Sequence, residues 1–343
     1  MNLVRISILT ITVLLMVIFV SGNLYALDFA SNSVLKPSVI ASIPFNISKE
    51  AAKTLKGEVL CLPAPSSDMA GEGYPTAFKL DKNNHLHLLV PGINKVFVFN
   101  SSGVCTRSVE LKGVNGDLLS EKAFLYDMAV KDDGTYLVLN QTGGWITHFG
   151  VDGKFIKTFG HIVYGSSMYL TDSQNLIVAD SALSLLDIFD NNGKFVGDVI
   201  GANLYPQISS KNQLIRSTNL SFRQSVLWLR SLDKTAPTLL AVIKPENKLA
   251  KLYEASPVGF NSLDQIVVVT TEKTPDLTYY SYVQIFSDKG ICLGKFEIEP
   301  NMEKVADISA TWSLEGNKMI TFRTNDGKYE VLSYVLPSNF QIK

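Results

Sequence analysis

Three cysteines are too few, and too irregularly spaced, to staple a chain of 343 residues. Cys61, Cys105 and Cys292 form no C-x-x-C or C-x-x-C-H pattern, so thioredoxin-like redox chemistry, c-type haem attachment and a cysteine zinc site lose their sequence basis. Only four histidines are available for metal or general-base work. Charge of one sign is also lacking: 31 basic against 32 acidic side chains leave a net charge of −1, with no basic block for nucleic acid. No Gly-x-Ser-x-Gly elbow, P-loop or His-Glu-x-x-His occurs. No cofactor is expected.

Long apolar runs are missing too. Behind Arg5, residues 6–20 are apolar except for Ser7, Thr10 and Thr12, which is shorter than the roughly 20 residues a membrane span needs. With Ser21, Gly22 and Ala26 following, the segment reads as a signal peptide cleaved after Ala26. Leu24 stands where a small residue is usual, so an uncleaved anchor is the alternative, and only then is a membrane a partner. The expected boundaries are a signal peptide at 1–26, an N-terminal segment at 27–74 and a repeat domain at 75–337. Within the segment, Ser48 can cap a short helix over residues 48–55.

What is present is a repeat. Its clearest copy, residues 126–160, runs from an apolar stretch (Met128, Val130) through a turn at Asp132, Asp133 and Gly134, a strand at 136–139 and a loop at 141–144. It continues with a strand at 145–149, a turn at Asp152 and Gly153, and a strand at 155–159. Residues 168–200 and 78–111 repeat that order. Gly103 and Gly153 are 50 positions apart, Gly153 and Gly193 are 40, and Gly193 and Gly290 are 97, two periods with one turn glycine missing. A degenerate copy follows over 207–243, a fifth over 257–296, and a sixth has strands at 308–312, 319–322 and 329–335 before Pro337 stops it. Repeats of about 40–50 residues with four short strands each indicate a propeller.

The order of apolar stretch, turn, strand, polar loop, strand ending in Phe, Asp-Gly turn and strand resembles NHL repeats, through Asp152, Gly153, Lys154 and Phe155 and again through Asn192, Gly193, Lys194 and Phe195. The resemblance implies an all-β, six-bladed β-propeller of four-stranded antiparallel blades. It assigns no activity, because propellers host binding modules, scaffolds and enzymes alike. Since the sixth copy is one strand short, the N-terminal segment is expected to supply it, from residues 39–44 or 58–62.

Loops after the second strand of a blade, and those linking blades, open on one rim. They group Asn94, Gln141, Thr142, Trp145, His161, Tyr164 and Asp180 as a candidate binding face. Trp145 has two readings, a binding anchor or the start of a buried strand packed between blades, and packing comes first. Tyr280 and Tyr282 share a face by alternation and are also expected to pack. His85 and His87 share a strand face that is expected to meet water. Glu72, in Gly71–Pro75, resembles an early metal-ligand Glu of propeller lactonases, but the Arg-Pro-Asn-Asp stretch is absent and no ligand is carried over. The leading expectation is an extracytoplasmic binding or scaffolding propeller for a protein or small-molecule ligand. The alternatives are a metal-assisted hydrolase or lyase and a membrane-tethered sensory ectodomain.

Overall fold

The computed structural model describes residues 34–44, 75–116, 125–200, 209–231, 236–246, 248–299, 312–325 and 328–337. Strands β1 (Val34–Leu35) and β2 (Ser38–Pro44) precede the first repeat. Blade 1 comprises β3 (Ala77–Leu80), β4 (Leu86–Val90), β5 (Lys95–Phe99) and β6 (Cys105–Glu110). Blade 2 comprises β7 (Leu125–Val130), β8 (Tyr136–Asn140), β9 (Trp145–Phe149) and β10 (Phe155–Phe159). Blade 3 comprises β11 (Gly165–Leu170), β12 (Leu176–Asp180), β13 (Leu185–Phe189) and β14 (Phe195–Ile200). Blade 4 shows β15 (Gln213–Ser221), β16 (Gln224–Ser231) and β17 (Thr238–Ile243), and the strand expected at 207–208 lies outside the described residues. Blade 5 comprises β18 (Lys251–Phe260), β19 (Ile266–Lys273), β20 (Tyr279–Phe286) and β21 (Cys292–Ile298). Blade 6 comprises β22 (Ser313–Glu315), β23 (Lys318–Asn325) and β24 (Lys328–Val335).

The fourth strand of blade 6 is β2, antiparallel to β24 with Ser38 opposite Ser333 and Pro44 opposite Lys328. Of the two candidate closing segments, 39–44 therefore occupies the edge, while 58–62 and the helix expected at 48–55 lie outside the described residues. β1 adds in parallel to β21 of blade 5, so the N-terminal segment ties two blades. The inner strand of blade 6 is β22, just beyond the expected 308–312, of which only Trp312 is described.

A single sheet cannot bury both faces, and here each blade is covered by its neighbours. One apolar layer lies between each adjacent pair, including blades 6 and 1, where Ile320, Phe322 and Val331 meet Phe78, Leu86, Leu88 and Phe99. Ala41 and Ile43 of β2 enter that layer, which closes the ring.

The period-marking glycines sit in turns that demand them. Asn100 Oδ1 accepts the N–H groups of Ser102 and Val104, and Asp190 Oδ1 accepts those of Asn192 and Lys194. Each such turn then needs a left-handed residue, supplied by Gly103 at φ 76° and Gly193 at φ 76°. Cys105 and Cys292 follow two of these turns at equivalent places, opposite Phe99 and Phe286, in different blades and unbridged.

Blades 4 and 5 depart from the sequence pattern. β15, β16, β19 and β20 have eight or nine residues, whereas the middle strands of blades 1 to 3 have five. The strands expected at 213–216 and 266–269 are longer than that, because pairing continues through polar residues such as Asn219 with Ser225 and Glu272 with Tyr280. Among the described residues no helix is long and apolar enough to cross a membrane, and residues 6–20 lie outside them.

Candidate functional site

Loops after β8, β10 and β12 join into one rim by hydrogen bonds, two between backbones and one from a side chain. Ile162 N–H donates to Gly144 O at 2.7 Å, Ser181 N–H to Tyr164 O at 3.0 Å, and Gln141 Nε2 to Gly165 O at 2.9 Å. The structure thus brings Gln141, Thr142, Trp145, His161 and Tyr164 together. Asn94 holds the corresponding loop of blade 1, left-handed at φ 50°, with its carbonyl accepting Leu111 N–H at 2.8 Å.

Trp145 is 44 % exposed, so the expectation that it packs between blades is corrected. Gly143 is the reason: its missing side chain leaves room for the indole, which a β-carbon there would meet at 2.6 Å. The ring lies over its own loop instead of entering the inter-blade layer. Tyr164 is 54 % exposed, and Ile93, Val163 and Leu183 add exposed apolar surface on the same loops. Asp180 is buried beneath them. Its carboxylate accepts the N–H groups of Val163 at 2.7 Å, Tyr164 at 3.3 Å, Ala182 at 3.0 Å and Leu183 at 3.2 Å, so it shapes the loops.

His87 is also corrected. A middle strand has both faces covered, so His87 is 1 % exposed between blades 1 and 2, where Nε2 meets Asp81 Oδ2 at 3.3 Å and Nδ1 meets Tyr136 Oη at 3.2 Å. Arg107 Nη2 donates to that phenol at 3.2 Å, leaving the phenol proton for His87 Nδ1. Burial pushes the imidazole below its ordinary value, partly offset by Asp81, and the neutral form fits these partners. Burial acts to raise Asp81, but the N–H groups of His85 and Asn83 and the two histidine rings outweigh it, and the carboxyl is lowered. His85 is half-buried and bonds Asp81 at 3.1 Å.

Inner strands carry a second polar cluster. Lys79 of β3 donates to Met168 O of β11 at 3.2 Å and lies 3.5 Å from Asp127 Oδ1 of β7, whose Oδ2 accepts Met168 N–H at 2.6 Å. Blades 1, 2 and 3 are tied at their inner strands in this way. Burial pushes Glu315 of β22 up to about 7, against the pull of Lys79. Among the described residues no three His, Cys, Asp or Glu side chains gather to hold a metal ion, and Glu72 lies outside them.

A cavity of 430 Å³ opens on the β19–β20 hairpin, lined by Glu272, Thr274, Pro275, Asp276, Tyr280 and Tyr282. Tyr280 is 37 % exposed, correcting the expectation that it packs, and Tyr282 is half-buried beside it. Sequence reasoning missed Glu272, although its cross-strand pairing with Tyr280 follows once the hairpin is allowed to run on through polar residues.

No family model and no curated protein matches this chain. Among solved structures, a member of the DUF4221 family from Bacteroides vulgatus aligns at a TM-score of 0.49 and 9 % identity over 89 % of this chain and 99 % of its own. A Bacteroides fragilis protein described as exported aligns at 0.48 and 10 % identity over 91 % and 98 %. Virginiamycin B lyase from Staphylococcus aureus aligns at 0.45 and 10 % identity over 76 % and 94 %. At such scores these are what the chain is similar to, and neither activity nor residue roles pass from them; the six-bladed β-propeller rests on the blades themselves.

Proposed function

We propose that this chain is an exported propeller with NHL-type repeats that binds a protein or small-molecule ligand through the rim bearing Trp145 and Tyr164. The observation that carries the reading is the pair of large aromatic side chains left exposed on loops that are otherwise bonded into a fixed frame. Exposed aromatics on a rigid frame lose little freedom when covered, which is why Trp and Tyr dominate binding hot spots. The signal-like residues 6–20 support export, and the recurring Asp-Gly turns support the repeat type.

Cross-linked capture from the native host, comparing the unaltered chain with a Trp145→Ala, Tyr164→Ala double variant, tests this. Loss of roughly 1–4 kcal/mol in affinity for the captured partner, with the unfolding midpoint kept, is the expected result. A variant that retains every partner at full strength would remove the rim from consideration.

A further inference from the structure

Three extra residues per strand lift the β19–β20 hairpin about 10 Å beyond the five-residue middle strands of blades 1 to 3. Lower down, Ile266, Val268 and Phe286 pack against blade 4. Further along that same face the residues change to Thr270, Glu272, Tyr280 and Tyr282, because Thr270 pairs with Tyr282 and Glu272 with Tyr280. The 430 Å³ cavity lies there, within the size range of small-ligand sites.

The site already shows how it treats an ammonium group. Lys295 Nζ stands 4.0 Å from the centre of the Tyr282 ring and 3.2 Å from Glu272 Oε1, and also pairs with Glu246. Glu246 N–H donates to both oxygens of Glu272, at 2.9 and 3.0 Å, fixing that carboxylate under the cavity. Lys295 stands between Glu246 and Glu272, while Lys273 of β19 lies over the Tyr279 ring at 4.9 Å. The Tyr282 phenol is pushed up by burial and then by Glu272, Glu297 and Glu246. Hydroxyls of Thr274 and Thr278 hold Asp276 below the usual carboxylate range, so it stays ionised at the cavity mouth.

We propose that this cavity binds a small organic cation, a primary or quaternary amine, with its charge toward Asp276 and Glu272 and its alkyl flank on the Tyr280 ring. Desolvated ammonium groups gain from aromatic faces and carboxylates together, as Lys295 does with Tyr282 and Glu272. An anion meets repulsion from the lining carboxylates.

Titration calorimetry of the full chain with choline, cadaverine and glucose is the test. Saturable binding of choline or cadaverine that weakens with added salt, and none of glucose, is expected. Tyr280→Ala and Asp276→Asn, both at exposed positions, are each expected to weaken cation binding about 2- to 5-fold without moving the unfolding midpoint. The Trp145→Ala, Tyr164→Ala variant keeps cation binding whole, so this proposal and the rim reading fail separately. Glucose binding as well as the amines, equal binding by Tyr280→Ala, or no saturable binding of either amine would each overturn it.

Discussion

The backbone of Gly153, in the turn between β9 and β10, lies against the carbonyl oxygen of Glu110 at the end of β6 in the preceding blade, where an added β-carbon would sit 2.1 Å from that oxygen. Gly103 stands in the same relation to Ile40 of β2, at 2.6 Å, and Gly290 to Leu240 of β17, at 1.9 Å. The glycine that marks the repeat period is thus also a point where one blade touches the next. Gly153→Ala is expected to lose about 1–3 kcal/mol from backbone strain alone at φ 80°, with the clash in addition. Gly197→Ala, where nothing lies within 4 Å, is the control and is expected to be neutral. Urea midpoints of the two variants check this, and equal midpoints would refute the close approach.

The Asp81, His87, Tyr136 and Arg107 chain makes the blade 1 and 2 interface sensitive to acid. His87 titrates below its ordinary 6.5 in the folded state, so the unfolded chain binds the proton first and stability falls as pH drops from about 6.5 toward the folded value. Asp81, lowered from 3.8, extends the loss further down, as pH falls through its own range. His87→Gln is expected to be less stable at pH 7 and to flatten the midpoint profile between pH 7 and 5. A parallel profile would show that another group controls the slope.

Asp187 works in the opposite sense. Burial, then the carboxylates of Asp180 and Asp198, push it from 3.8 up to about 6, so the folded state keeps a proton that the unfolded chain has lost between those values. Its penalty grows as pH rises from 3.8 and is complete above about 6. Asp187→Asn is therefore expected to raise the unfolding midpoint at pH 8 and to have little effect below pH 4. A gain that is equal at both pH values would contradict the assignment.

Ile43 of β2 is buried in the layer between blades 6 and 1, and Ile43→Ala is expected to lose about 2–5 kcal/mol. Val39→Ala, on the exposed face of the same strand, is expected to cost little. Chemical denaturation of both variants measures how much the closing strand contributes, and a small loss at Ile43 would demote it to an ornament of the ring.

The repeat was legible because its turns are chemical. Asp190 and Gly193 fix a bend whatever surrounds them, and residues 39–44 carry enough apolar character to serve as an edge. The site was less legible because exposure is settled by neighbours. His87 shows the polar alternation of a one-sided sheet, but blade 2 covers the face that alternation assigns to water. Trp145 was expected inside, yet the glycine two positions earlier gives its ring a place outside. Glu272 was hidden because β19 runs on past Val269 through backbone pairing and polar side-chain contacts, with no apolar run to announce it.

The pairing of β2 with β24 sets an order of assembly. The two partners stand at opposite ends of the described chain, and loop closure over such a span is the slowest kind of pairing to achieve. Blade 6 keeps a bare edge on β24 until then, a template for another chain. For a polypeptide threaded through a pore from its N-terminus, β2 emerges first and waits for the last blade. A chaperone that shields β2 would therefore act from the start until the ring closes, whereas one that shields β24 would act late and briefly, on an otherwise finished ring.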